Sequence, residues 1–349
     1  MPGSEADRRE KQSRLERLRA ESGAEALLLT SHEAVSWYLE GIRTHVSLAG
    51  PPVAAVRIDA HGDTVFVAEN EADRLAEEEL LPGDVARIVP VPWVTPPAEA
   101  AVAAGAAVGE ASVAPALRAE RASLLPAERD RYRLLCREAA EAMTDAATRA
   151  RPETTERMLA AVLSAELVAR GIDPLVILVA GESRLRHRHP LPTDGPLGRR
   201  AMLVVCGRRH GLIANATRWV GEAADPRAEE AILAVERAFW DATRPGVRLA
   251  EAFGAGAAAY GATGFDPDEW RRHHQGGATG YAGRDPRATP DTTDLVQEHH
   301  AFAWNPSAPG VKVEDTVLVT SGGVEVLTVD ARWPTVQVEG AARPATRPF

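Results

Sequence analysis

Ala303-Trp304-Asn305-Pro306, followed by Gly310-Val311-Lys312-Val313-Glu314-Asp315-Thr316-Val317-Leu318-Val319, is the stretch on which the reading of this chain turns. It lies in a segment, 301–338, that reads as nearly all strand and turn. Upstream of it, strands are predicted over 175–180, 201–206 and 211–220. Helices are predicted over 155–170, closed by Gly171, over 226–243 and after Arg248. A longer helix runs from 127 to about 149, with Pro126 suited to its first turn. Further back, Leu15, Leu18 and Ala20 among many charges read as a surface helix over 8–22. Ala26-Leu27-Leu28-Leu29-Thr30 reads as a buried strand and 33–38 as helical. Strands over 53–58 and 63–67 meet at the turn His61-Gly62-Asp63, and 70–80 is helical. The Pro-rich stretch 89–97 and the Ala/Gly-rich stretch 100–115 continue this pattern loosely. The alternation describes a small α/β domain followed by a larger mixed domain, an α/β (α+β) chain, with the boundary near 120–126. The expected domains are 1–122 and 123–349.

The chain has 349 residues, enough for two domains with a large core. Charged residues make up 26% and hydrophobic residues 45%, which is ordinary for a globular protein. A net charge of -10 would repel nucleic acid and anionic membranes, so neither is an expected partner. No apolar segment approaches the roughly 20 residues needed to span a bilayer. Residues 1–19 are charged and lack an apolar signal-peptide core, so a cytoplasmic location is expected. Cys136 and Cys206 are too few for a disulfide framework or a thiolate metal site. Cys206 reads as a buried small hydrophobe rather than a nucleophile. Gly276-Gly277 lacks the residues of a phosphate-binding loop.

Residues 26–33 with Tyr38-Leu39-Glu40-Gly41, and Arg151-Pro152-Glu153-Thr154-Thr155-Glu156 behind the long helix, resemble the creatinase, prolidase and aminopeptidase P superfamily. The resemblance covers nearly the whole chain. It implies a creatinase-type N-terminal domain and a catalytic domain of the pita-bread fold. Four segments match the parts of that superfamily that carry chemistry. His189-Pro190-Leu191-Pro192-Thr193-Asp194 resembles the segment whose histidine faces the substrate and serves creatinase as acid/base. Imidazole suits that task because its ordinary pKa is near 6.5. The strand pair around 204–218 resembles one that carries two metal-binding aspartates, the second in an Asp-x-Thr-Arg motif. Thr217 and Arg218 match, but Val204 and Asn215 stand where the aspartates would be. His273-His274-Gln275-Gly276-Gly277-Ala278-Thr279-Gly280-Tyr281 resembles the glycine-rich strand with the histidine ligand. Adjacent side chains on a strand point to opposite sides, so one of His273 and His274 is expected to face the cleft. Which one is left open. Finally, Asn305-Pro306 stands in place of Glu-Pro, while Glu314 keeps the last glutamate.

The resemblance thus implies a two-metal scaffold with three ligand positions lost. Two-metal catalysis holds its ions about 3.5–4 Å apart with bridging carboxylates, so no metal and no other cofactor is expected here. The favoured expectation is a metal-independent, creatinase-like hydrolase cutting a C–N bond of an amidino, cyclic amidine or amide substrate. His189 would move the proton, and His274 and Glu314 would complete the catalytic set. Glu314 would bind a cationic face of the small-molecule substrate. Asn215, Arg218, His273, Tyr281, Asn305 and Lys312 would line its binding site. Alternatives are an elimination or cyclisation on the same pocket, a binding module without turnover, and an ordinary metal-dependent Xaa-Pro aminopeptidase. A homodimer is expected from the resemblance, with Trp37, Tyr38 and Arg43 as either interface or internal packing. His299 and His300 are expected to cap a strand or face solvent.

Overall fold

The computed structural model describes residues 3–338 and 340–349. The chain divides into two compact units, Met1–Arg131 with His210–Leu212, and Tyr132–Arg209 with Ile213–Phe349. The division falls inside a long helix, later in the chain than the expected boundary at 122–123.

The first unit runs α1 (Glu5–Glu21), β1 (Ala26–Leu29), α2 (His32–Tyr38), β2 (Ala54–Asp59), β3 (Gly62–Ala68), α3 (Glu69–Glu78), α4 (Pro82–Val85), β4 (Ile88–Val91), α5 (Pro97–Ala103), β5 (Val108–Gly109) and α6 (Ala114–Ala122). Its five strands form one sheet in the order β4-β3-β2-β1-β5. The tight turn after Asp59 makes β2 and β3 antiparallel, with Asp59 opposite Gly62. The short strands in the loosely read stretches add parallel edges, β4 beside β3 and β5 beside β1.

Helix α1 is not the surface helix that its charge suggests. Asp7, Arg8 and Lys11 are buried with Leu15 and Leu18. Lys11 is fully buried and pairs with Glu40 and with Glu128, the latter at 2.8 Å. Arg131 joins Glu40 at 3.1 Å. Buried charges persist only when paired in this way. Trp37 and Tyr38 are also fully buried within the unit, which settles them as internal packing. Arg43 is exposed and pairs with Glu78 and Glu79.

The second unit contains most of α7 (Pro126–Ala147), then α8 (Glu156–Val168), β6 (Asp173–Gly181), β7 (Arg200–Arg209), β8 (Leu212–Gly221), α9 (Pro226–Ala242) and α10 (Leu249–Ala262). It ends in short strands: β9 (Gly276–Thr279), β10 (Ala301–Trp304), β11 (Ser307–Ala308), β12 (Val311–Lys312), β13 (Val317–Thr320), β14 (Gly323–Val326), β15 (Thr335–Val338) and β16 (Ala341–Pro344). β6, β7 and β8 form one sheet, and β14-β13-β10-β9 another. The main core joins α9 and α10 to the second sheet. Phe239 stacks on Trp304 at 4.5 Å, and Trp304 Nε1 donates to Thr243 Oγ1 at 3.0 Å. The helix approaches closely because Gly256 has no side chain, since a Cβ there would collide with the ring of Phe239. This mixed α/β architecture is the one the sequence suggested.

Candidate functional site

Alternation along two extended segments sorts the polar residues of the second unit onto two sides. Asn215 and Thr217 on β8 point one way, and Arg218 points the other. Glu314 and Asp315, just past β12, part in the same manner. Thr217 donates its backbone N–H to the Glu314 carbonyl at 2.9 Å and its hydroxyl to Glu314 Oε2 at 3.0 Å. Arg218 instead donates to Asp315 Oδ1 at 2.7 Å and to the Thr328 carbonyl at 2.6 Å. Asp315 also accepts from Arg343, which holds Glu236. Arg218 therefore belongs to a buried ion-pair network on the side of β8 away from Asn215 and Thr217. Alternation already places Arg218 opposite to Thr217, but the Thr-Arg pair alone does not say that Asp315 meets it there.

Glu314 is buried and already occupied by cations of its own chain. Arg284 Nη2 donates to Glu314 Oε1 at 2.7 Å, and Lys312 Nζ lies 3.3 Å from Oε2. Burial alone would raise the Glu314 carboxyl, but Lys312 and Arg284 outweigh it and hold it below the usual carboxylate value. Arg284 Nη1 also donates to Asn215 Oδ1 at 3.1 Å, while Asn215 Nδ2 donates to Thr279 Oγ1 at 3.1 Å. One guanidinium thus bridges the amide and the carboxylate. Reading the motifs gave Arg284 no role. The available signal was charge: a buried glutamate needs a positive partner.

The donors here do not fit a pair of divalent cations. Val204 packs in an apolar cluster with Leu178, Ala180 and Met202. Asn215 is neutral, and both oxygens of Glu314 face cationic side chains. Asn305 supplies only a neutral amide, with its Oδ1 buried and lacking a hydrogen-bond partner among the described residues. Cys206 is close enough to feel Glu314, yet burial pushes its thiol up to about 11 and removes it as a nucleophile at neutral pH.

The histidines meet a short distance along the chain from these groups. His189 lies in the exposed loop before β7. His273 and His274 lie between a 3₁₀ turn, Glu269–Arg272, and β9. Because they precede the strand, alternation does not separate them, and both rings turn to His189. Ring centroids are 4.9 Å apart for His189 and His273, 5.4 Å for His189 and His274, and 4.5 Å for His273 and His274. The expectation of a single inward histidine is corrected accordingly. Nε2 of His273 is 3.1 Å from Nε2 of His189, and its Nδ1 is 3.1 Å from Ser307 Oγ. Arg188 donates to the same hydroxyl at 3.0 Å and pairs with Glu269. The β11–β12 hairpin ties the two halves of the site together, because Ser307 sits directly opposite Lys312. Opposite residues of an antiparallel pair share a face.

All three rings are held below the ordinary histidine value. Burial and then Lys312 lower His189, burial and Lys312 take His273 to about 2, and burial and Arg284 take His274 to about 3. Tyr281 is buried just after β9. His300 is also buried, against Phe302 at 4.6 Å, and neither caps a strand nor faces solvent.

Residues 130–321 match the profile described as metallopeptidase family M24. No curated protein sequence matches the chain closely enough to count as a relative. Among solved structures, dipeptidase PepE from Mycobacterium ulcerans aligns over 100% of both chains with a TM-score of 0.75 at 17% identity. Xaa-Pro dipeptidase from Bacillus anthracis gives 0.73 at 15% identity, over 98% of this chain and 100% of the other. The N-terminal domain of FACT complex subunit SPT16 from Cicer arietinum gives 0.70 at 13% identity, over 92% and 95%. At these identities the likeness concerns the fold.

Proposed function

The chain belongs to metallopeptidase family M24, and from that premise we propose that it is a metal-independent hydrolase of a C–N bond in a small polar substrate carrying a carboxylate. One observation carries the reading: Arg284 and Lys312 hold Glu314, while the exposed His189 stands on an imidazole cluster beside them. A carboxylate fixed by two internal cations supplies neither a bridging metal ligand nor a seat for a cationic substrate. The role of Glu314 is to orient Arg284 and Lys312. Two positive charges against one negative leave the pocket cationic, and Arg287 adds to this at His189 and His274. An anionic group on the substrate complements that field. The expected amidino or amide bond remains the target, with the charge preference reversed from the one the sequence suggested.

His189 moves the proton. With His273 Nδ1–H donating to Ser307 Oγ, His273 Nε2 accepts from His189 Nε2–H. That leaves the His189 Nδ1 lone pair open to a water molecule. The water oxygen attacks the carbon of the C–N bond as Nδ1 takes its proton. The same proton then passes to the departing nitrogen as the C–N bond breaks, so one water is consumed. The partnerless Asn305 Oδ1 suits a substrate N–H.

The experiment is a mass-spectrometric screen of N-acyl amino acids, dipeptides and amidino acids with chelator-treated protein. Two products whose masses sum to the substrate plus one water are expected, and His189→Ala should slow turnover roughly 100-fold or more. Undiminished turnover in His189→Ala, or turnover that requires added metal, would overturn the mechanism. Products whose masses sum to that of the substrate alone would point to elimination or cyclisation instead.

A further inference from the structure

We propose that His189, His273 and His274 form a mononuclear binding site for one transition-metal ion of the zinc class. One ring nitrogen from each histidine lies within 4.8 Å of the other two. The closest pair, Nε2 of His189 and of His273, is 3.1 Å apart. A tetrahedral ion with Zn–N bonds of about 2.0–2.1 Å sets its donors roughly 3.3 Å apart, so that pair is already at ligand spacing. The third ring stacks on His189. Nδ1 of His274 is buried without a hydrogen-bond partner among the described residues. Two nitrogens facing each other share one proton at most, and His274 adds a further ring nitrogen to the group. A cation among them would satisfy all three lone pairs at once.

The hydrogen bonding around the rings suits such an ion, whose ligation has to outweigh the cationic field of Lys312, Arg284 and Arg287. Ser307 Oγ, held by Arg188, lies 3.1 Å from His273 Nδ1 and can accept its N–H. That hydrogen bond fixes the tautomer in which Nε2 is the ligand, the usual arrangement behind a metal-bound imidazole. His189 is exposed, so a fourth position opens to solvent. The donor set is all imidazole and stands apart from Glu314, which its cations hold. Imidazole favours zinc, copper or nickel over magnesium or calcium. The site does not depend on the hydrolytic reading, but its consequence does: an ion on His189 occupies the proton carrier, so zinc silences metal-free turnover.

The test is titration of the full chain, without a polyhistidine tag and stripped of metal, with cobalt and then zinc. One equivalent is expected, with the visible absorption of four-coordinate cobalt and its loss as zinc displaces it. Magnesium and calcium should not compete. His189→Ala and His274→Ala should each weaken zinc binding at least 100-fold, and Ser307→Ala by about 10–100-fold. His187→Ala, a neighbour outside the cluster, should leave it unchanged. Melting curves without metal show that each variant is folded. A folded wild type that takes up no stoichiometric ion, or one whose binding survives His189→Ala, would overturn the site. The titration uses no substrate, so its failure and a failed substrate screen are separate results.

Discussion

Arg284 shows how one side chain sets the chemistry open to its neighbours. Its guanidinium spans Asn215 and Glu314, so a neutral amide and a carboxylate share one fixed charge. His300 shows the opposite case, a titratable group buried without a counter-charge strong enough to keep it protonated. Burial lowers its pKa to about 4, and Asp294 opposes this only partly. The unfolded chain would titrate near 6.5. Above that value both states are neutral and nothing is lost. As pH falls from about 6.5 to about 4, the unfolded state takes the proton first and stability declines by roughly 3 kcal/mol, then levels. We expect His300→Phe to abolish this loss, so that its stability relative to wild type rises by that amount between pH 7 and pH 4. Denaturation curves at several pH values would show it. Parallel pH profiles for the two proteins would contradict it.

Among the elements, α1 carries the clearest energetic argument. Its charges face inward because Glu40 and Glu128 wait for Lys11 inside the first unit. Removing the cation takes one positive charge away from two buried glutamates, Glu40 and Glu128. We expect Lys11→Met to cost about 3–5 kcal/mol in denaturant unfolding followed by tryptophan fluorescence. Adding Glu128→Gln should recover part of the loss. A neutral Lys11→Met would mean that water reaches the pair. The same logic explains why α1 was legible as a helix but misread as a surface one: its pattern of charge is solvent-like, and only the facing carboxylates reveal the burial.

For the whole molecule, charge and assembly are the properties at issue. Among the described residues no helix is long and apolar enough to cross a membrane. With Trp37 and Tyr38 buried, they offer nothing to a partner. Trp93 and Val94, adjacent and exposed by 72% and 66%, are among the exposed apolar side chains of the first unit. We propose that the chain forms a homodimer and that this surface contributes. Light scattering should give about twice 37.3 kDa, and Trp93→Glu should move it toward the monomer. A wild type that runs as a monomer at micromolar concentration would remove the proposal.

Much of this protein was decided by sequence alone. The order of helices and strands, the mixed α/β class and the family resemblance follow from local periodicity, turn residues and short motifs, which act over a few neighbours. His189, Asn215 and Glu314 were singled out from motifs that each lie in one short stretch of chain: a loop, a strand and the segment past β12. Tertiary structure decided the rest, because it brings together residues that sequence keeps far apart. It placed Arg284 on Glu314 across 30 positions and turned His273 and His274 together onto His189 across more than 80. It also sent Arg218 into the ion-pair network behind the strands. Which side a strand residue faces, and which charge meets it there, is fixed only when the sheets pack.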